Sequence, residues 1–103
     1  MKTEVLNEAK TLFVEGLKCL QNNDYKNAEV KFIKSLDLAP GRLSIIHNLI
    51  SIYINTNQKN KLNDILNRFQ NLKDKKEIIY GTAFLFYFNN DYLRSIETCN
   101  KII

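Results

Sequence analysis

Catalysis or metal binding in this chain would have to begin from one histidine, two cysteines and eleven carboxylates. His47 has no cysteine at ligand spacing, so the minimum set for a metal site is missing and a surface or groove histidine is expected. Cys19 and Cys99 are two separated thiols, expected reduced and on helix faces toward the core rather than as nucleophiles. No carboxylate lies in a stretch with apolar neighbours on all sides, the setting that tunes a general acid or base. Lys73-Asp74-Lys75-Lys76 reads as a solvated turn, and there is no glycine-rich loop after a strand to cradle phosphate. No catalytic residue, cofactor or metal is assigned, and an enzyme is not expected. The chemistry that remains is that of contact surfaces, which depends on the elements that carry them.

A length of 103 residues fits one small domain, with 45% hydrophobic and 25% charged residues, a balance that excludes wholesale disorder. One proline and three glycines disfavour a turn-rich β-sandwich. The net charge of +4 is spread along the chain, without the concentrated run of a nucleic-acid tail. Ile78 to Phe88 is among the longest apolar stretches and is too short to span a bilayer. Acidic residues follow Lys2 where a signal peptide needs an apolar core, so a cytoplasmic protein is expected.

Self-similarity organises the chain. Asn22-Asn23-Asp24-Tyr25 recurs as Asn89-Asn90-Asp91-Tyr92, 67 residues on, and Thr56-Asn57-Gln58-Lys59 lies 34 after Asn22. Three units fit, about 9–42, 43–75 and 76–103, with one residue deleted near Lys73 to Lys76. Their periodicity is helical, clearest in Leu62, Ile65, Leu66, Phe69 and Leu72, which fall on one face of a helix. The pattern predicts helices over 4–21, 25–38, 43–55, 59–72, 76–88 and 91–103. Asp24 and Asp91 are placed to cap second helices, and Pro40-Gly41 to end the first pair.

At this point the residues resemble the tetratricopeptide repeat (TPR), a 34-residue helix-turn-helix with the pattern W-x2-L-G-x2-Y, A-x3-F and a closing proline. In the first unit Leu12 stands for the Trp, Gly16 matches the Gly, Ala28-x3-Phe32 matches the second-helix pair and Pro40 closes the unit. Glu15 stands where the family has Leu, and Cys19 replaces the aromatic. The second unit keeps only apolar character, in Ile46-x2-Leu49-Ile50-x2-Tyr53 and Leu62-x3-Leu66. In the third, Ile79-x2-Thr82-Ala83-x2-Phe86 and Ser95-x3-Cys99 return the small residues. The resemblance implies an all-α fold, a right-handed α-solenoid of antiparallel helix pairs with about six helices.

The resemblance also implies a concave, partly aromatic groove lined by the first helix of each unit, binding a peptide or helix of a protein partner. Its residues here would be Phe13, Leu17 and Leu20; His47, Asn48, Ser51 and Asn55; and Tyr80, Phe84, Tyr87 and Phe88. The competing reading makes Tyr80 to Phe88 a core helix covered by a neighbour. At the positions where chaperone-binding relatives grip a carboxylate terminus with Lys and Asn, this chain has Phe13, Leu17, Asn48, Glu77 and Gly81, and only Asn48 remains, which argues against that ligand. The expected function is a protein-interaction scaffold. The alternative is the N-terminal interaction module of a longer enzyme such as a transferase, and an RNA-binding helical repeat ranks behind both because the stripes are mostly apolar. Leu93, Ile96, Cys99 and Ile103 have no later helix to meet, so the chain is expected to dimerise through its uncapped third unit.

Overall fold

Three interhelical turns share one backbone conformation. Asn23, Asn57 and Asn90 occupy the left-handed region, at φ 58°, 55° and 62°, a conformation that asparagine tolerates better than other residues with a side chain. Each following residue bends alike, at φ/ψ −91°/74° for Asp24, −94°/72° for Gln58 and −93°/73° for Asp91. The N–H groups of these residues donate back to the carbonyls of Cys19, Tyr53 and Phe86 at 2.8, 2.8 and 2.9 Å, the long bond of a Schellman motif. The turns recur after 34 and 33 residues, so the one-residue shortfall lies between the second and the third. Asp24 and Asp91 accept side-chain caps from the N–H groups of Asn27 and Arg94, each at 3.3 Å, whereas Gln58 makes no such cap.

The computed structural model describes residues 2–102, and among them the chain is all α, with no strand. Its six α-helices are α1 (Lys2–Gln21), α2 (Tyr25–Leu38), α3 (Leu43–Asn55), α4 (Lys59–Arg68), α5 (Lys76–Phe88) and α6 (Tyr92–Asn100). Their succession is consistent with a TPR-like arrangement. Helices α1 and α6 begin at Lys2 and Tyr92 rather than at 4 and 91, and two C-terminal ends differ from expectation. The helix predicted to residue 72 stops at Arg68 and tightens into a 3-10 turn over Gln70–Leu72, keeping Phe69 buried in a stretch weakened by Asn63, Asn67 and Asn71. The last helix ends at Asn100, Lys101 and Ile102 form a turn, and the predicted end at Ile103 lies outside the described residues. No helix among the described residues is long and apolar enough to cross a membrane.

The chain divides into two units, residues 1–52 and 53–103. In the first, α1 packs on α2 where Gly16 meets Phe32: a Cβ on Gly16 would lie 2.6 Å from the ring. Ala28, Phe32 and Leu36 are buried with it, and the buried Ser35 hydroxyl donates to the Ala9 carbonyl at 2.7 Å. Glu15 is accommodated by an ion pair with Lys31 of α2 at 3.2 Å. Ile45, Ile46, Leu49, Ile50 and Ile52 add the buried side of α3.

In the second unit α4 packs on α5 and α5 on α6, around Leu62, Leu66, Phe69, Ile78 and Ala83. Close approach here is marked by a hydrogen bond, the Ser95 hydroxyl to the Ala83 carbonyl at 2.9 Å. Gly16 and Ala28 of the first unit correspond to Ala83 and Ser95, 67 residues on.

Candidate functional site

On α1 the stripe of Phe13, Leu17 and Leu20 is half-buried, with the Phe13 ring 5.6 Å from that of Phe32. On α3, His47 is exposed, while Asn48 and Ser51 are half-buried. The Asn48 amide already donates to the Ser44 carbonyl within its own helix at 2.7 Å, which occupies one of its N–H groups. These residues share the first unit with a hollow of about 410 Å³, lined among others by Phe13, Lys10, Arg42, Ser44 and Ile45.

In the second unit Asn55 is exposed in the last turn of α3. The four aromatics predicted on α5 form a continuous ladder. Phe84 stacks edge-on with Tyr80 at 4.9 Å and lies 6.4 Å from both Tyr87 and Phe88. Tyr92 of α6 extends it, 5.5 Å from Tyr87, and its hydroxyl donates to the Asn90 side chain at 3.1 Å.

Tyr80 and Tyr87 are 38% and 53% exposed, so part of this stretch is left uncovered. Helix α5 buries Ile78, Gly81 and Ala83 and leaves its aromatic side half-covered. Edge-to-face contacts between rings supply part of the packing that a neighbouring helix otherwise would.

The expectation for the cysteines is corrected as well. Cys99 is exposed and Cys19 only half-buried. The Ser95–Ala83 hydrogen bond and the burial of Thr98 turn another side of α6 inward, leaving Leu93 77% and Ile96 59% exposed.

Sequence reasoning missed three residues. Tyr92 was legible, since it repeats Tyr25 in the Asn-Asn-Asp-Tyr motif beside the aromatic helix. Lys10, three residues before Phe13, shares its helix face and was legible too. Arg42 sits between α2 and α3, where periodicity gives no direction.

Among the described residues no group of three His, Cys, Asp or Glu side chains comes together to hold a metal. What the surfaces offer is apolar and aromatic contact area on helices, bordered by a few cations. Compared with known proteins, the chain matches no family model and no curated sequence.

Proposed function

We propose that this chain is a protein-interaction scaffold of tetratricopeptide type, engaging a peptide or helix of a partner through the aromatic face of α5. The observation that carries the reading is the Tyr80–Phe84–Tyr87–Tyr92 ladder, half-exposed yet ordered ring against ring. Aromatic side chains held in place lose little entropy on binding and anchor protein interfaces out of proportion to their number. The three like turns at the period of the family support the architecture on which such a face would be displayed. Panning a random peptide display library against the folded chain tests it: peptides should enrich, and Phe84→Glu should abolish the capture of those that engage α5 while leaving helicity by circular dichroism unchanged. A library that enriches nothing refutes the reading.

A second contact surface is proposed on α6, used between two copies. The chain carries +4 overall, which opposes self-association, but Arg94 is paired with Asp91 at 3.4 Å and the exposed Leu93 and Ile96 offer apolar area on α6. The two aliphatic side chains would supply the contact between copies. Light scattering over a concentration series should show a dimer that Ile96→Lys shifts to monomer; a parent that stays monomeric at high concentration refutes it.

A further inference from the structure

The hollow of the first unit combines two features that the aromatic face lacks. Half of its lining residues are apolar, Leu6, Ala9, Phe13, Ala39 and Ile45, and Leu6 is 47% exposed, an aliphatic side chain left in contact with water. The hollow is also flanked by Lys10 and Arg42, with no Asp or Glu among its lining residues. Neither cation is engaged by a carboxylate among the described residues. The hollow of the second unit, about 490 Å³, differs in this respect: Asp74 lines it together with Lys73 and Lys101, so a carboxylate offsets one of its two cations.

We infer that the hollow of the first unit binds an acidic peptide segment, with an aliphatic side chain seated against Leu6, Phe13 and Ile45 and flanking carboxylates on Lys10 and Arg42. The inference rests on the scaffold reading but uses a different surface, so either can fail alone. Charge complementarity selects the occupant. A neutral apolar segment would leave both cations unpaired at the rim, and a basic one would be repelled by them. A nucleic acid is disfavoured because a backbone-tracking site needs a run of cations and open ring faces for stacking, whereas here there are two cations and the ring of Phe13 is turned toward Phe32. The floor is fixed: Ser35 is fully buried and tied to Ala9, so the hollow does not depend on a mobile side chain.

The probe is the fluorescein-labelled peptide Gly-Asp-Glu-Leu-Asp-Glu-Gly, titrated by fluorescence anisotropy with the full 103-residue chain. Three competitors accompany it: the peptide with Asn and Gln in place of its acids, the peptide with Ala in place of Leu, and a ten-nucleotide oligo-dT. The acidic peptide should bind saturably and more weakly as salt rises, and both altered peptides should compete poorly. The double variant Lys10→Gln/Arg42→Gln should weaken binding about tenfold, the combined effect of two exposed charge pairs. Both positions are exposed, so helicity should be unchanged, and Leu6→Glu should weaken binding with the cations intact. Equal binding of the acidic and neutral peptides, or a double variant that binds like the parent, overturns the inference. Oligo-dT competing as well as the acidic peptide overturns it in favour of a nucleic-acid site. Display-selected peptides that bind independently of Lys10 and Arg42, together with no binding of the acidic probe, would sink this inference and leave the scaffold reading standing.

Discussion

The contact between Gly16 and Phe32 yields the sharpest prediction. A Cβ at residue 16 would stand 2.6 Å from Cε1 of Phe32 and 2.9 Å from Cδ1 and Cζ. Carbon atoms in ordinary contact are about 3.5 to 4.0 Å apart, so the ring would have to retreat by roughly 1 Å. It has little room, being fully buried with the ring of Phe13 5.6 Å away. Overpacking of this kind costs about 1 to 3 kcal/mol. Against it stands the higher helix propensity of alanine, worth about 1 kcal/mol in a helix interior. Gly16→Ala should therefore be destabilising by up to about 2 kcal/mol, and each kcal/mol lowers the melting temperature by about 4 to 8 °C in a domain of this size. The decisive assay is a double-mutant cycle with Phe32→Leu, followed by ellipticity at 222 nm during thermal or urea unfolding. Phe32→Leu removes Cε1 and Cζ and replaces the rigid ring with δ methyl groups that can turn away from the new Cβ, so in that background Gly16→Ala should be neutral or stabilising by up to about 1 kcal/mol. Gly16→Leu exceeds the space in either background and should be far more destabilising. If Gly16→Ala stabilises the parent, or has the same effect in both backgrounds, the close approach of α1 and α2 at this residue is wrong.

The turns supply a second test: Gln58 occupies the capping position of α4 without a side-chain cap, so Gln58→Asp should raise stability by about 0.5 to 1 kcal/mol, while Asp24→Ala should lower it by about 1 kcal/mol. At the left-handed position Asn57→Gly should be neutral or stabilising and Asn57→Ala should cost about 1 kcal/mol, both read from denaturant midpoints. Lys31→Leu should be tolerated, because it and its partner Glu15 are half-exposed, with side chains 34% and 41% accessible, and partly solvated pairs contribute about 0 to 1 kcal/mol; a large loss in a thermal melt would give this pair a structural weight that its exposure does not suggest.

The helices were legible because burial repeats with the helical period, and that signal is strongest where one face alone is apolar, as in Leu62, Ile65, Leu66 and Phe69. The second turn was harder to read, since Asn57 shares only its asparagine with the other two. Its equivalence lies in a backbone angle, which Asn, Asp and Gly can each supply. The C-terminal end of α4 was not legible: continuing apolar periodicity through Leu72 says nothing of whether the backbone closes as an α or a 3-10 turn. Of the candidate site, the aromatic residues of α5 could be placed on a helix from spacing, but their exposure could not, because the same spacing describes a core helix and a docking face. That Arg42 lines the same hollow as Lys10 was beyond reach, as it depends on how α2 hands over to α3.

The two units solve the problem of close helix approach differently. In the first, Gly16 gives up its Cβ and the ring of Phe32 fills the space, so the second helix contributes the large buried group. The residue 67 positions after Phe32 is Cys99, which is exposed and fills nothing. There the contact is made by small residues, Ala83 and Ser95, joined by a hydrogen bond that replaces volume with direction. No buried ring of α6 joins Ile78, Gly81 and Ala83, the buried residues of α5, and Tyr80, Phe84 and Tyr87 lie outside that buried set. They are left half-exposed, stacked on one another at the surface. A position where the repeat pattern loses its aromatic in the core thus coincides with aromatic surface elsewhere on α5.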